Sequence, residues 1–273
     1  MGMALVLPIH LPTLLNMWSS VTPEAIALLG SHARGDAGPF SDLDILCLLP
    51  EGTPAPERNT FLIDGYLTVI NATAPEQIDG WFTEPEQAVN VVAGLRDAIP
   101  LQDPDGLFAA AQRRAHTFTW TAEMQAKADR YASREMVGWI EESHKGLEGL
   151  RRNDVGRLLN ARFGLSWGLA GVMRVQRGIL GNSDNSFYDD VRYALGRESR
   201  WSSLLATAFG ISTSDSASLP LHEEILAGLN LYCETARLLA DILQAQDRSL
   251  IDATVARIEQ ELRVTTIIHE RIE

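Results

Sequence analysis

Two cysteines, Cys47 and Cys233, are all that 273 residues contain. That is too few for a disulfide framework, and their separation does not match a metal-ligand pair. Each lies in an apolar segment and reads as a small buried hydrophobe. Long apolar runs are missing as well: the longest, such as Ala25 to Leu29 and Ile45 to Leu49, fall far short of the roughly 20 residues of a membrane helix. No membrane partner is expected. The opening stretch MGMALVLPIHLPTLLNMW has no basic region ahead of its apolar block, and Pro8 and Pro12 interrupt that block, so a secretory signal is not expected and a cytoplasmic location is. Positive charge is scarce too, with 23 Lys+Arg against 36 Asp+Glu and a net charge of −13. Such a field repels a phosphodiester backbone and attracts cations, which argues against nucleic acid as a partner. There is no internal repeat and no low-complexity tract.

A hydrophobic content of 45% is enough for a full core in one large or two modest domains. The pattern changes along the chain. From Ala25 to about Thr73, short apolar runs broken by Gly, Pro and Asp predict strands over Ala25–Leu29, Leu43–Leu49, Phe61–Ile63 and Tyr66–Ile70. Asp64-Gly65 between the last two is a hairpin signal. A helix over Leu11 to Ser20 is expected before them, and Gly30–Ser41 has room for a short helix and a turn. Beyond about residue 75 the period becomes helical and strand-like runs are scarce. Thr83-Glu84-Pro85 predicts a helix start with Thr83 as cap, and Leu107 to Arg114 follows a turn signal. Further helices are expected over Ala122 to Leu150, Asp154 to Leu180, Leu221 to Ala245 and Leu250 to about Val264, with Gly181–Ser186 and Gly210–Pro220 as loops. The expected fold is α+β: a small mixed-sheet domain over 1–118, then an all-α domain over 119–273.

The chemistry concentrates in LLGSHARGDAGPFSDLDILCLL, residues 28 to 49. Side chains alternate across a strand, so Asp42 and Asp44 share one face while Leu43 and Ile45 take the other. Two ionised carboxylates this close repel unless a cation lies between them. Mg²⁺ fits, because it takes oxygen ligands and is held by one or two carboxylates plus substrate phosphates. Upstream, Gly30 lets the backbone approach a phosphate, Ser31 adds a hydroxyl, and Arg34 one turn on adds a cation. Each piece alone is common turn or edge chemistry. Joined in this order they are specific.

Gly30-Ser31-His32-Ala33-Arg34-Gly35 followed by Ser41-Asp42-Leu43-Asp44 resembles the signature of the nucleotidyltransferase superfamily that includes DNA polymerase beta. Within it the chain is most similar to the kanamycin and lincosamide nucleotidyltransferases. The resemblance implies a small mixed sheet joined to a helical domain, and transfer of a nucleoside monophosphate from an NTP, ATP being the expected donor, to a substrate hydroxyl. It implies that Asp42 and Asp44 bind Mg²⁺ and that Gly30, Ser31 and Arg34 serve the nucleotide. Ile99-Pro100-Leu101-Gln102-Asp103 with Gly106 resembles a stretch after the sheet in the kanamycin enzymes. Glu141 and Lys145 match the family's Glu-x-x-x-Lys, in which Glu is the general base and Lys reaches the phosphates; four residues apart, they share a helix face. By spacing alone the same two residues are an ordinary surface ion pair, and Glu142 and His144 stand beside them as alternatives. The family also admits a homodimer.

The pattern departs from the family at the strand Tyr66-Leu67-Thr68-Val69-Ile70-Asn71, where much of the superfamily carries a third carboxylate. Val69 takes that position, or Ile70 if the register slips, with Asp64 at the turn before. Two expectations remain open. The first is an enzyme that adenylylates a small hydroxylated acceptor, aminoglycoside-like or lincosamide-like, with a protein hydroxyl as the variant sequence cannot separate. The second is a non-catalytic nucleotide-binding or antitoxin-like interaction protein. Four arginines, Arg157, Arg162, Arg174 and Arg177, read as the solvated face of a helix, and Asn182-Ser183-Asp184-Asn185 reads as a plain loop because no further calcium-ligand spacing follows it.

Overall fold

The computed structural model describes residue 12, residues 21–54, 56–211 and 219–269, with side chains described as far as residue 263. The helix expected over Leu11 to Ser20 and most of the loop expected over Gly210–Pro220 lie outside these residues. The chain divides into two units, the first comprising residues through Trp120 together with Leu180–Asp184, the second Thr121–Ile179 and the residues from Asn185 onward.

The first unit is built on a five-stranded mixed sheet in the order β3-β4-β2-β1-β5. Strand β1 (Ala25–Leu29) runs antiparallel to β2 (Leu43–Leu48), and a short helix α1 (Gly30–Arg34) starts where β1 stops. Strands β3 (Thr60–Ile63) and β4 (Tyr66–Thr73) form the expected hairpin. Its turn residues Asp64 and Gly65 both have positive φ, 51° and 85°, the left-handed geometry that Asp-Gly supplies and a hairpin's twist needs. Strand β4 then runs parallel to β2.

Strand β5 (Ile99–Gln102) completes the sheet against β1. Strands were expected to be scarce past residue 75, and this four-residue run reads as a stretch after the sheet. It is instead the sheet's edge, where Pro100 is tolerated because an edge residue has no second ladder to donate to. A one-turn helix α2 (Gly80–Thr83) precedes α3 (Pro85–Asp97), so the helix start falls one residue later than expected, with Glu84 rather than Thr83 at the N-cap and Pro85 in the first turn. Helix α4 (Leu107–Thr117) begins on Asp103, whose carboxylate accepts from the Phe108 and Ala109 N–H groups at 3.0 and 2.9 Å. Helices α3 and α4 pack on β1. Ile26, Leu28, Leu43, Ile45, Cys47, Phe61, Ile63 and Ile70 form one continuous core over the strands.

The second unit is helical. Thr121 caps α5 (Ala122–Gly138) by accepting from Met124 N–H at 3.1 Å. A single helix to Leu150 was expected, but Trp139 ends α5 and α6 (Ile140–Arg152) starts afresh. Likewise the run from Asp154 is interrupted: α7 (Val155–Phe163) passes into a π-helical turn at Gly164–Gly168 before α8 (Leu169–Gln176). Both glycines there back onto Trp139; a Cβ on Gly168 would lie 2.7 Å from Trp139 Cδ2, and one on Gly164 3.2 Å from Cζ3. The indole fills the space that the two absent side chains leave. Helices α9 (Phe187–Leu195), α10 (Arg200–Ala208), α11 (Leu221–Leu238) and α12 (Ala245–His269) complete the unit. Its core includes Leu165, Leu169, Met173, Leu205, Ile225 and Tyr232. Two of its buried aromatics have satisfied polar ends: Trp201 Nε1 donates to Thr235 Oγ1 at 2.8 Å and Tyr232 OH to Met136 O at 3.1 Å. Of the arginines expected on a solvated face, Arg174 is instead buried, its guanidinium 5.5 Å from the Phe187 ring centroid. No helix among the described residues is long and apolar enough to cross a membrane.

Candidate active site

Antiparallel pairing of β1 with β2 brings the end of one strand beside the start of the other. Leu29, the last residue of β1, pairs with Asp44. The chain leaves β1 through Gly30-Ser31 into α1 at the edge of the two carboxylates that head β2. Leu43 and Ile45 are fully buried while Asp42 and Asp44 are half-buried, as the alternation of a strand requires.

Gly30 has φ +67°, and a Cβ built on it would overlap Asp44 Oδ2 and come within 3.3 Å of Asp44 Cγ. The glycine that sequence reasoning assigns to phosphate approach is thus also the one that lets the carboxylate in. With five residues, α1 presents free N–H groups but little macrodipole, so the cationic character of this corner comes mainly from Arg34. Arg34 is held from two sides: Nε donates to Asp36 Oδ2 at 3.2 Å and Nη1 to Asn182 O at 3.0 Å. Ser41 Oγ accepts from Gly38 N–H at 2.9 Å, fixing the turn that returns the chain to Asp42. His32 packs edge-on against Tyr66, with ring centroids 6.3 Å apart, and its buried Nε2 has no hydrogen-bond partner.

Burial raises the carboxyl pKa of Asp44, Asp42 and Asp184 raise it further, and Arg34 and His32 oppose them. A half-buried acid beside another acid is costly to ionise in the free protein, and a cation between them relieves that cost. The donor set therefore fits one Mg²⁺ at Asp42 and Asp44. The parallel register of β2 with β4 sets Val69 directly across from Asp44, so the strand position that would carry a third acid is apolar. No group of three His, Cys, Asp or Glu residues among the described residues is close enough to hold a metal ion, and Asp64 at the hairpin turn does not make up the number.

Glu141 and Lys145 lie in the second unit, on α6, one turn apart. Lys145 Nζ stands 2.8 Å from Glu141 Oε1 and 3.0 Å from Glu142 Oε1. Glu141 is exposed, at 74%, whereas Glu142 is 19% exposed and its Cγ abuts Gly164. The hydrogen bond from Lys145 lowers the Glu141 pKa, and the two glutamates together raise that of Lys145. Residues 181–184 read in the sequence as part of a plain loop, with no sign of where they pack. These belong to the first unit, tied to it by Gly181 N–H donating to Val89 O at 3.1 Å and by the Arg34–Asn182 bond. The signal available in the sequence was the polar run Asn182-Ser183-Asp184, which resembles any loop.

Comparison with known proteins agrees with this geometry over the first unit. Residues 9–94 match the nucleotidyltransferase domain family. No curated protein matches the chain. Among solved structures, the nucleotidyltransferase-like protein from Exiguobacterium sibiricum 255-15 is similar, with a TM-score of 0.45 and 11% identity over 89% of this chain and 74% of that one. The glycine-serine turn packed against the paired aspartates at the head of β2 falls within residues 9–94, the stretch of this chain that is similar to the nucleotidyltransferase domain family.

Proposed function

We propose that the protein moves a nucleoside monophosphate, AMP from ATP, onto a hydroxyl of a small, cationic, aminoglycoside-like or lincosamide-like acceptor. The observation that carries this reading is the adjacency of Gly30-Ser31 and the Asp42–Asp44 pair at one corner of the sheet. Ser31 and Arg34 orient the triphosphate. Asp42 and Asp44 would hold Mg²⁺, which when bound would neutralise charge on the phosphate oxygens. The acceptor oxygen attacks the α-phosphorus, pyrophosphate leaves, and the hydroxyl proton passes to a carboxylate, for which Glu141 is assigned, with Lys145 drawn to the phosphates. The net charge of −13 favours a cationic acceptor. Resistance to such an antibiotic is the corresponding biological role, and a homodimer is compatible with it.

A second reading has a specific observation in its favour: Val69 faces Asp44 where a third acid would complete a two-metal clamp. In that reading the chain binds nucleotide and signals through another protein. One experiment separates them. The full chain is incubated with each radiolabelled NTP, Mg²⁺ and a panel of hydroxylated antibiotics, with Asp44→Asn as control. Pyrophosphate release with label on an acceptor, lost in the variant, supports transfer; saturable nucleotide binding without release supports the binding protein; release that survives the substitution overturns the metal assignment.

A further inference from the structure

We infer that an exposed apolar strip on the acid-bearing face of the sheet, Val69, Leu67 and Leu62, seats the acceptor, which therefore carries an apolar group beside its reacting hydroxyl. This rests on the nucleotidyl-transfer reading of Gly30-Ser31 and the Asp42–Asp44 pair. Strand register sets the strip in place. Asp44 pairs with Val69, and Val69 with Thr60 on the edge strand β3. One residue before the Leu43–Thr68 pair, Asp42 comes level with Leu67, and Leu67 pairs with Leu62. Paired residues share a face, as do residues two apart along a strand, so each acid heads a row that runs outward over β4 and β3. At about 5 Å per strand, Leu62 lies roughly 10 Å from Asp42. The far face of the same strands is closed: Thr68, Phe61 and Ile70 are buried. On the acid face Leu67 is 45% and Leu62 73% exposed, with Val69 half-buried. Scattered exposed leucines are ordinary. These two stand side by side at a sheet edge, where apolar surface invites aggregation, and they adjoin the acids.

The direction of attack assigns the occupant. Strand β2 stands between β1 and β4. Gly30-Ser31, which opens α1, lies on the β1 side of the acids, where Gly30 meets Asp44, and the strip lies on the β4 side. In displacement at the α-phosphorus the entering and leaving oxygens stand roughly in line, on opposite sides of the phosphorus. With the leaving pyrophosphate at Ser31 and Arg34, the bond from the acceptor oxygen forms from the β4 side as the bond to pyrophosphate breaks, and the hydroxyl proton passes to the carboxylate assigned above. The body of the acceptor is then carried over Val69, Leu67 and Leu62, none of which can pair with an ammonium or a hydroxyl. Of the two acceptor classes, a lincosamide-like molecule with its alkyl group fits this surface, and a polycationic aminoglycoside does not.

The test titrates the full chain, loaded with Mg²⁺ and α,β-methylene-ATP, with clindamycin and with kanamycin by calorimetry. A fluorescent NTP reports nucleotide binding, sedimentation velocity reports association, and thermal melts confirm that each variant folds. Clindamycin is expected to bind saturably and more tightly than kanamycin. The double variant Leu62→Thr, Leu67→Thr is expected to weaken clindamycin about 10-fold or more with NTP affinity and Tm unchanged. Leu159→Gln, at an exposed leucine of α7, is expected to bind as wild type. Undiminished clindamycin affinity in the double variant, no saturable clindamycin binding to wild type, or kanamycin bound as tightly overturns the inference. A loss of NTP affinity in the double variant places the base on the strip and overturns it as well, as does a wild-type dimer that the double variant dissociates. NTP binding that is absent from wild type, or undiminished in Asp44→Asn, overturns instead the nucleotidyl-transfer reading on which the strip's role rests.

Discussion

Gly30 and Asp44 occupy one another's space: the glycine's missing Cβ is where the aspartate's Oδ2 lies, and its φ of +67° is one that L side chains rarely adopt. The chain reverses from β1 into α1 at that residue, so the strand–helix corner and the place of the Asp44 carboxylate are set by a single backbone choice. Gly30→Ala meets both obstacles. A non-glycine residue in the left-handed region costs about 1–3 kcal/mol, and the carboxylate must also move. The expected result is a Tm lower by several degrees together with loss of nucleotide binding, measured by thermal melt and by titration with a fluorescent NTP. Full binding with only a lower Tm would mean that the corner is structural and the carboxylate is free to move.

Asp44 gives a pH-dependent signature. Its carboxyl pKa in the folded protein is raised above the usual 3.8 by burial first, then by Asp42. An acid with a raised folded pKa favours folding when protonated. That contribution is whole below the unfolded value and is lost as pH rises through the folded one. Asp44→Asn keeps a neutral group at every pH. In metal-free buffer it is expected to melt higher than wild type near neutral pH, by roughly 1–3 °C, with the difference vanishing towards pH 3. Saturating Mg²⁺ should raise wild-type Tm and leave the variant unmoved. A variant that melts lower than wild type at neutral pH would show that Asp44 is stabilising as an anion, contrary to its surroundings.

The π-helical turn of the second unit makes a prediction independent of catalysis. Gly168 faces Trp139 so closely that a Cβ would enter the indole ring. Gly168→Ala is expected to cost about 1–3 kcal/mol by overpacking, read by chemical denaturation. Gly171, on the same helical run, has open space around it, and Gly171→Ala should be neutral or stabilising because alanine is the better helix former.

Much of the sheet was legible in the sequence because its signals are local. Short apolar runs between Gly, Pro and Asp mark β1, β2 and β4, and Asp64-Gly65 carries the hairpin. The D-x-D facing follows from the strand period alone. What escaped depends on contacts far along the chain. Strand β5 is four residues with a proline inside, and only its pairing with β1 makes it a strand. The break at Trp139 has no proline to announce it; it arises because the indole packs against Gly164 and Gly168 of the next helical run. The placement of Gly181 and Asn182 is the extreme case. Nothing in Asn182-Ser183-Asp184 distinguishes it from an ordinary loop until the bond to Asn182 O from Arg34, 148 residues earlier, is seen.

Lys145 divides its ammonium between two carboxylates that differ in exposure, Glu141 at 74% and Glu142 at 19%, and the assignment of the proton acceptor turns on which one reacts. Lys145 lowers the pKa of Glu141, so Glu141 is ionised and ready at neutral pH, at some expense of basicity. Removing the ammonium by Lys145→Met should raise the Glu141 pKa and move the acidic limb of the kcat/KM profile to higher pH. Glu141→Gln should lower kcat by about 10²–10⁴-fold, the usual range for a general base, while leaving Tm unchanged, since an exposed pair contributes little to stability. Glu142 packs against Gly164, so Glu142→Gln should perturb stability more than Glu141→Gln does. If Glu142→Gln is the variant that abolishes turnover while Glu141→Gln retains it, the base is the sheltered carboxylate, and the i,i+4 spacing to Lys145 is only a surface ion pair.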